Sequence, residues 1–158
     1  MPNSEVRLNS SKLILGTAQF GLNYGITNTT QIQSNEIQKI LKYAEKEGIT
    51  SIDTSSNYGS SERVIGENNT GNYSISTKFL CPKSLRDFNE KEFFDKVNLS
   101  LELTKVKIFD TLFVHNADEF INDKENLFYS NLLKLKDDKK IKKIGASVYE
   151  PNEVFKLL

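Results

Sequence analysis

Short apolar runs alternate with amphipathic helical periods along the chain, and this alternation restricts the available folds more than any other feature. Apolar runs near residues 13–15, 50–54, 73–77, 109–114 and 141–147 have strand length and are bounded by turn residues. Between them, Ile37, Ile40, Leu41 and Ala44 fall at i, i+3, i+4 and i+7, which is one face of a helix. Phe93, Phe94, Val97 and Leu101 form a second core-facing stripe, and Phe128, Leu132 and Leu135 a third. Asn35 with Gln38, and Asn89 with Glu92, have the spacing of capping boxes, and Gly48 suits the left-handed position after a last turn. Pro151 fits a first helical turn, with Val154, Leu157 and Leu158 beginning an apolar face. A further short helix is predicted from Ser60, and a hairpin from residues 6–8 and 12–15 around Asn9-Ser-Ser. Five strand–helix units of this kind predict an α/β fold with a parallel sheet.

The chain has 158 residues, enough for one domain with a core. Lys plus Arg and Asp plus Glu both number 21, so a zero net charge supplies no electrostatic footprint for nucleic acid or an anionic membrane. One cysteine, Cys81, excludes an internal disulfide or a cysteine cluster, and one histidine, His115, excludes a histidine-rich metal site. Cys81 reads as an unreactive bystander. The first residues lack the basic and apolar regions of a signal peptide, and no apolar run approaches the roughly 18 residues of a membrane span, so a cytoplasmic setting is expected.

Loops that follow the strands of a parallel α/β array share one face, where active sites form. Asp53, Tyr58, Lys78 and His115 all lie at or just past predicted strand ends. Taken singly, each has an ordinary structural reading: a loop cap, a loop aromatic, a solvated strand end and a core histidine. Together they place an acid, a phenol, an amine and an imidazole on one face. A lysine in such a place resists desolvation, and Asp53 would offset that cost. The Lys78 cation beside Tyr58 favours the phenolate and so helps the phenol give up its proton, while neutral His115 could orient a carbonyl oxygen. The set suits protonation of an alkoxide as hydride reaches a carbonyl carbon. Gly16, Gly21 and Gly25 match neither G-x-G-x-x-G nor a phosphate loop, and read as loop formers. Residues 139–143, rich in lysine, read as a solvated helix end and strand start.

Leu15-Gly-Thr-Ala-Gln-Phe-Gly, Gly48-Ile-Thr-Ser-Ile-Asp-Thr-Ser-Ser-Asn-Tyr-Gly-Ser-Ser-Glu, Ser76-Thr-Lys, Ser100-Leu-Glu-Leu, Phe109-Asp-Thr-Leu-Phe-Val-His and Ile144-Gly-Ala-Ser together resemble an aldo-keto reductase. The resemblance implies a (β/α)8 TIM barrel, an NADPH cofactor with NADH as the alternative, and reduction of an aldehyde or ketone to an alcohol. It implies Tyr58 as general acid, Lys78 and Asp53 as the pair that activates it, and His115 as the residue orienting the carbonyl. It also implies Thr17 and Asp53 near the nicotinamide ribose and Ser147 at the carboxamide. Two positions depart from the family pattern: Val148 stands where Asn commonly follows the serine, and Lys139 where Gly commonly ends a helix.

The likeness covers about five of the eight units, so residues 1–158 are expected to form a single, C-terminally incomplete domain. The family's pyrophosphate and adenine contacts belong to the other three units. An isolated piece of this kind would carry open apolar edges on its first and last strands, which predicts self-association. A catalytically silent barrel fragment, or a non-enzymatic binding protein of the same family, is the alternative function.

Overall fold

A computed structural model of the chain describes residues 12–26, 30–68, 72–84, 88–123 and 126–158. The hairpin predicted at the N-terminus depends on residues 1–11 and lies outside the described residues. In chain order the elements are β1 (Leu15–Gly16), α1 (Ala18–Gly21), α2 (Ser34–Lys46), β2 (Ser51–Asp53), α3 (Ser61–Asn68) and β3 (Ser74–Phe79). They continue with α4 (Glu90–Thr104), β4 (Phe109–Val114), α5 (Ala117–Ile121), α6 (Leu127–Asp137), β5 (Ile141–Ala146) and α7 (Pro151–Leu157). The five strands form one parallel sheet in the order β1-β2-β3-β4-β5. This is the α/β architecture expected of the alternation.

The register sorts side chains onto two faces, because neighbours aligned across a parallel sheet point the same way. Ile52 lies beside Ile75, Thr77 beside Leu112, and Phe79 beside Val114. These residues are buried with Ile37, Leu41, Ile65, Phe93, Val97, Phe128, Leu132 and Leu135 of the helices in one core. Removing a side chain of this size from water stabilises by roughly 1.5–3 kcal/mol. On the alternate face, Gly16 aligns with Asp53, Asp53 with Ser76, and Lys78 with Phe113. The same pleat that buries the apolar residues therefore turns Asp53 and Lys78 toward a common side.

Several local expectations are corrected. The box at Asn35 and Gln38 does not form: α2 begins at Ser34, and the Gln33 carbonyl takes the N–H groups of Glu36 and Ile37 without a side-chain cap. An earlier start leaves Asn35 exposed inside the first turn. At α4 half of the box forms. Asn89 Oδ1 accepts from the Glu92 N–H at 3.1 Å, while the Glu92 carboxylate pairs with Lys96 at 2.7 Å. Gly48 takes the left-handed conformation foreseen for it, with φ 78°. At α7 Pro151 opens the helix, but the apolar face is not inward: Val154 is 41% and Leu158 98% exposed, and the buried residue is Glu153. The Glu153 carboxylate accepts the N–H groups of Tyr149 and Glu150, so helix N-terminus chemistry, rather than apolar burial, sets that orientation. Within the lysine-rich run, Lys142 and Lys143 pair with Asp110 at 3.7 and 3.3 Å. No helix among the described residues is long and apolar enough to cross a membrane.

Candidate active site

The loop from β2 to α3 carries Tyr58 and is seated by backbone contact. A Cβ on Gly21 would lie 1.8 Å from the Tyr58 carbonyl oxygen, and Gly59 adopts φ 56° against Gly21. Neither position accommodates a side chain, so these glycines fix where the phenol stands. Hydroxyls reinforce the seat. Thr17 Oγ1 donates to the Asp53 carbonyl at 2.9 Å, and Ser61 Oγ bonds Thr17 Oγ1 at 3.0 Å and Thr54 Oγ1 at 3.1 Å, all three side chains being buried.

Asp53 closes β2 and Lys78 sits one residue before the end of β3. Their side chains meet: Lys78 Nζ donates to Asp53 Oδ2 at 2.5 Å and to the Thr54 carbonyl at 3.1 Å. The same ammonium lies 5.2 Å from the centroid of the Tyr58 ring. The His115 ring also stands edge to face with the Tyr58 ring, with centroids 6.1 Å apart. His115 follows β4 and is anchored by its N–H to the Phe79 carbonyl at 2.8 Å. Its neighbour Asn116 extends that ladder by a reciprocal pair with Cys81: Cys81 N–H to Asn116 Oδ1 at 2.7 Å, and Asn116 Nδ2 to the Cys81 carbonyl at 2.8 Å. Burial, and then the Lys78 charge, hold His115 below the ordinary imidazole range, with Asp53 opposing them. The imidazole is neutral near pH 7.

The four residues chosen from sequence thus come together. Thr17 and Asp53 line a cleft of about 440 Å³ with Gly16, Tyr24 and Tyr58, and at Gly16 nothing stands within 4 Å of where a Cβ would be. Thr17 is part of the wall, its hydroxyl turned to the Asp53 backbone. Ser147 lies past β5, its N–H on the Val114 carbonyl at 2.8 Å. Sequence reasoning missed Ser55, whose Oγ is 3.4 Å from His115 Nδ1, and Ser61 and Glu62 behind the loop. A run of two serines after Asp53-Thr was visible, but nothing in it told which hydroxyl would turn inward. Glu62 is buried and accepts from Thr77 Oγ1 and Ser100 Oγ, each at 2.8 Å, so it links α3 to β3 and α4. Cys81 is buried as well, its thiol pushed up to about 12 by burial and then by Asp123 and Glu119. No group of three or more His, Cys, Asp or Glu among the described residues is placed to hold a metal ion.

A profile of the aldo/keto reductase family matches residues 12–158. D-arabinose 1-dehydrogenase of Saccharomyces cerevisiae is 32% identical over 149 residues, an overlap of 88% of this chain and 43% of that protein. A Pseudomonas aeruginosa structure described as an aldo-keto reductase superposes with a TM-score of 0.69 at 27% identity, covering 85% of this chain and 54% of its own. A Klebsiella pneumoniae aldo/keto reductase, solved with NADP and acetate, shares the fold with a TM-score of 0.66 at 19% identity. The chain spans about half the length of these relatives.

Proposed function

The chain belongs to the aldo/keto reductase family, and from that premise we propose that its four-residue site reduces an aldehyde or ketone to an alcohol with NADPH, or with NADH in its place. One observation carries the reading. Lys78 is salt-bridged to Asp53 while facing the ring of Tyr58, and a neutral imidazole stands edge to face with the same ring.

The residues fit a nicotinamide group. The cleft between Gly16, Thr17, Asp53 and Tyr58 lies within the roughly 300–1,000 Å³ usual for ligand pockets, and it stays open where Gly16 lacks a side chain. Thr17 would wall the nicotinamide ribose, the Asp53 carboxylate would accept from a ribose hydroxyl, and Ser147 would hold the carboxamide. When bound, the dinucleotide supplies the hydride.

What the chain supplies is the proton and the field around it. His115 bonds the carbonyl oxygen as a neutral donor, which orients the substrate without adding a charge to be neutralised. Tyr58 then gives its phenolic proton to that oxygen as negative charge develops there. The phenolate left behind faces the Lys78 ammonium, so its charge is stabilised as it forms. Asp53 keeps that ammonium in place and offsets its desolvation. A proton from solvent restores the phenol.

The test is consumption of NADPH by this chain against a panel of short aldehydes and ketones. Pentoses are assayed in the oxidative direction, since the similar yeast protein is named for D-arabinose. Turnover that disappears in Tyr58→Phe supports the reading. Turnover no higher than that of Tyr58→Phe on every substrate overturns it for this chain and leaves a binding role.

A further inference from the structure

Ser55 follows Asp53-Thr54 on the loop and is 1% exposed. Three groups surround its hydroxyl. Oγ accepts the Asn57 N–H at 3.2 Å, stands 3.2 Å from the Lys78 carbonyl oxygen, and lies 3.4 Å from His115 Nδ1. A serine hydroxyl has one proton, so it can serve either the carbonyl or the imidazole.

The carbonyl does not need it. The Lys78 carbonyl oxygen already receives the Ser56 N–H at 3.3 Å and the Ser56 hydroxyl at 3.0 Å, which occupies both of its lone pairs. For His115 Nδ1, Ser55 is the sole partner among the described residues. Asp118, Glu119 and Glu153 share a cleft with His115 without bonding its ring, and Lys78 and Asp53 bond each other.

We infer that Ser55 donates its proton to His115 Nδ1 and thereby holds the imidazole in the tautomer that carries its proton on Nε2. The nitrogen turned away from Ser55 is then a donor, as bonding a carbonyl oxygen requires. The opposite tautomer would set a lone pair against the lone pairs of that oxygen. Ser55 acts through His115 and is a positioning residue. Its consequence for catalysis rests on the proposed function, whereas the tautomer itself does not.

Because the chain has one histidine, nitrogen-15 NMR reads the imidazole without ambiguity. Above its titration midpoint, the wild type is expected to show a protonated Nε2 and a bare, hydrogen-bonded Nδ1. Ser55→Ala is expected to lose the hydrogen-bonded signature and to lower the Nε2-H to Nδ1-H ratio by about five-fold, the worth of one hydrogen bond. Ser56→Ala frees one lone pair of the Lys78 carbonyl, a rival acceptor for the Ser55 proton, and is expected to shift the ratio in the same direction but by less than Ser55→Ala. If Ser55→Ala fails to fold, Ser55→Cys, with a weaker donor of similar size, makes the same comparison. A protonated Nδ1 in the wild type, a Ser55 variant identical to it, or equal changes in the Ser55 and Ser56 variants would overturn the inference. Loss of turnover in every substrate assay would sink the catalytic reading and leave these spectra unchanged.

Discussion

Lys78 and Asp53 stand on neighbouring parallel strands and join at 2.5 Å, with the Lys78 ammonium also on the Thr54 carbonyl. Lys78 retains only 12% of its side-chain exposure, so its ammonium is held on that sheet face. The cation is therefore a fixed element of the field felt by both Tyr58 and His115.

That field is measurable at the single histidine. Burial and Lys78 hold His115 low, and Asp53 counters them. Lys78→Met removes a positive neighbour and is expected to move the His115 midpoint up. Asp53→Asn removes a negative one and is expected to move it down. Proton NMR across the titration reads both, with Asp118, Glu119 and Glu153 unchanged as the acidic groups nearby. Movement of both variants in the same direction would show that these charges do not act on the ring as described.

Tyr58→Phe keeps the ring, and with it the contact to His115, and removes the hydroxyl that carries the proton. Loss of a general acid costs about 10²–10⁴-fold in rate, so reduction is expected to fall by at least about a hundred-fold. Cofactor affinity, measured by fluorescence titration, is expected to change little. A rate within a few-fold of the wild type would remove Tyr58 from the proton path.

Glu62, which is buried, and His115, which is half-buried, impose opposite pH dependences on stability. Burial holds the Glu62 carboxyl above its usual 4.5, despite bonds from Ser100 and Thr77. The folded state then binds the proton more tightly, so this contribution is present below pH 4.5 and is lost as pH rises through the folded value. His115 is a base held below 6.5, so the folded state binds its proton more weakly. Its contribution is present above pH 6.5 and is lost as pH falls through the folded value. Glu62→Gln is expected to reduce the decline toward neutral pH, and His115→Gln the decline on acidification. Urea midpoints over about pH 4 to 7 separate the two. A Glu62→Gln profile parallel to the wild type would mean that the carboxyl is not the source.

Lys105 and Lys139 follow α4 and α6 with φ 56° and 57°. Left-handed backbone costs a residue with a Cβ roughly 1 kcal/mol or more, and both side chains are exposed, so little packing is lost on removal. Lys105→Gly and Lys139→Gly are each expected to stabilise by about 0.5–1 kcal/mol, part of the gain being returned through the freer unfolded chain. Chemical denaturation checks this, and a lower midpoint in either variant would contradict it.

Cys81 provides a probe of global opening. With its thiol buried and pushed up to about 12, it is expected to resist a disulfide reagent near pH 8 and to react promptly once urea unfolds the chain. Rapid labelling in native buffer would place the thiol at the surface.

Helices α2, α4 and α6 and strands β3, β4 and β5 were legible because their apolar periods run long enough to declare a face, as at Ile37, Leu41 and Ala44. Helix α5 was not, because five residues make too short a period to read. At α7 the apolar positions at Val154 and Leu158 suggested burial, yet the capping carboxylate of Glu153 took the inward place.

For the site, residue type and strand-end position alone brought Asp53, Tyr58, Lys78 and His115 under suspicion. Alternation along a strand is a local property, so the residue row predicts which side chains leave the core and that strand ends share a rim. Distances across that rim are not local. Register between β2 and β3 decided that Lys78 reaches Asp53, and close backbone approach at Gly21 decided where Tyr58 stands. The orientation of one hydroxyl decided that Ser55, rather than Ser56, meets His115. Such contacts join residues as far as 60 positions apart and form only when the sheet brings their strands side by side.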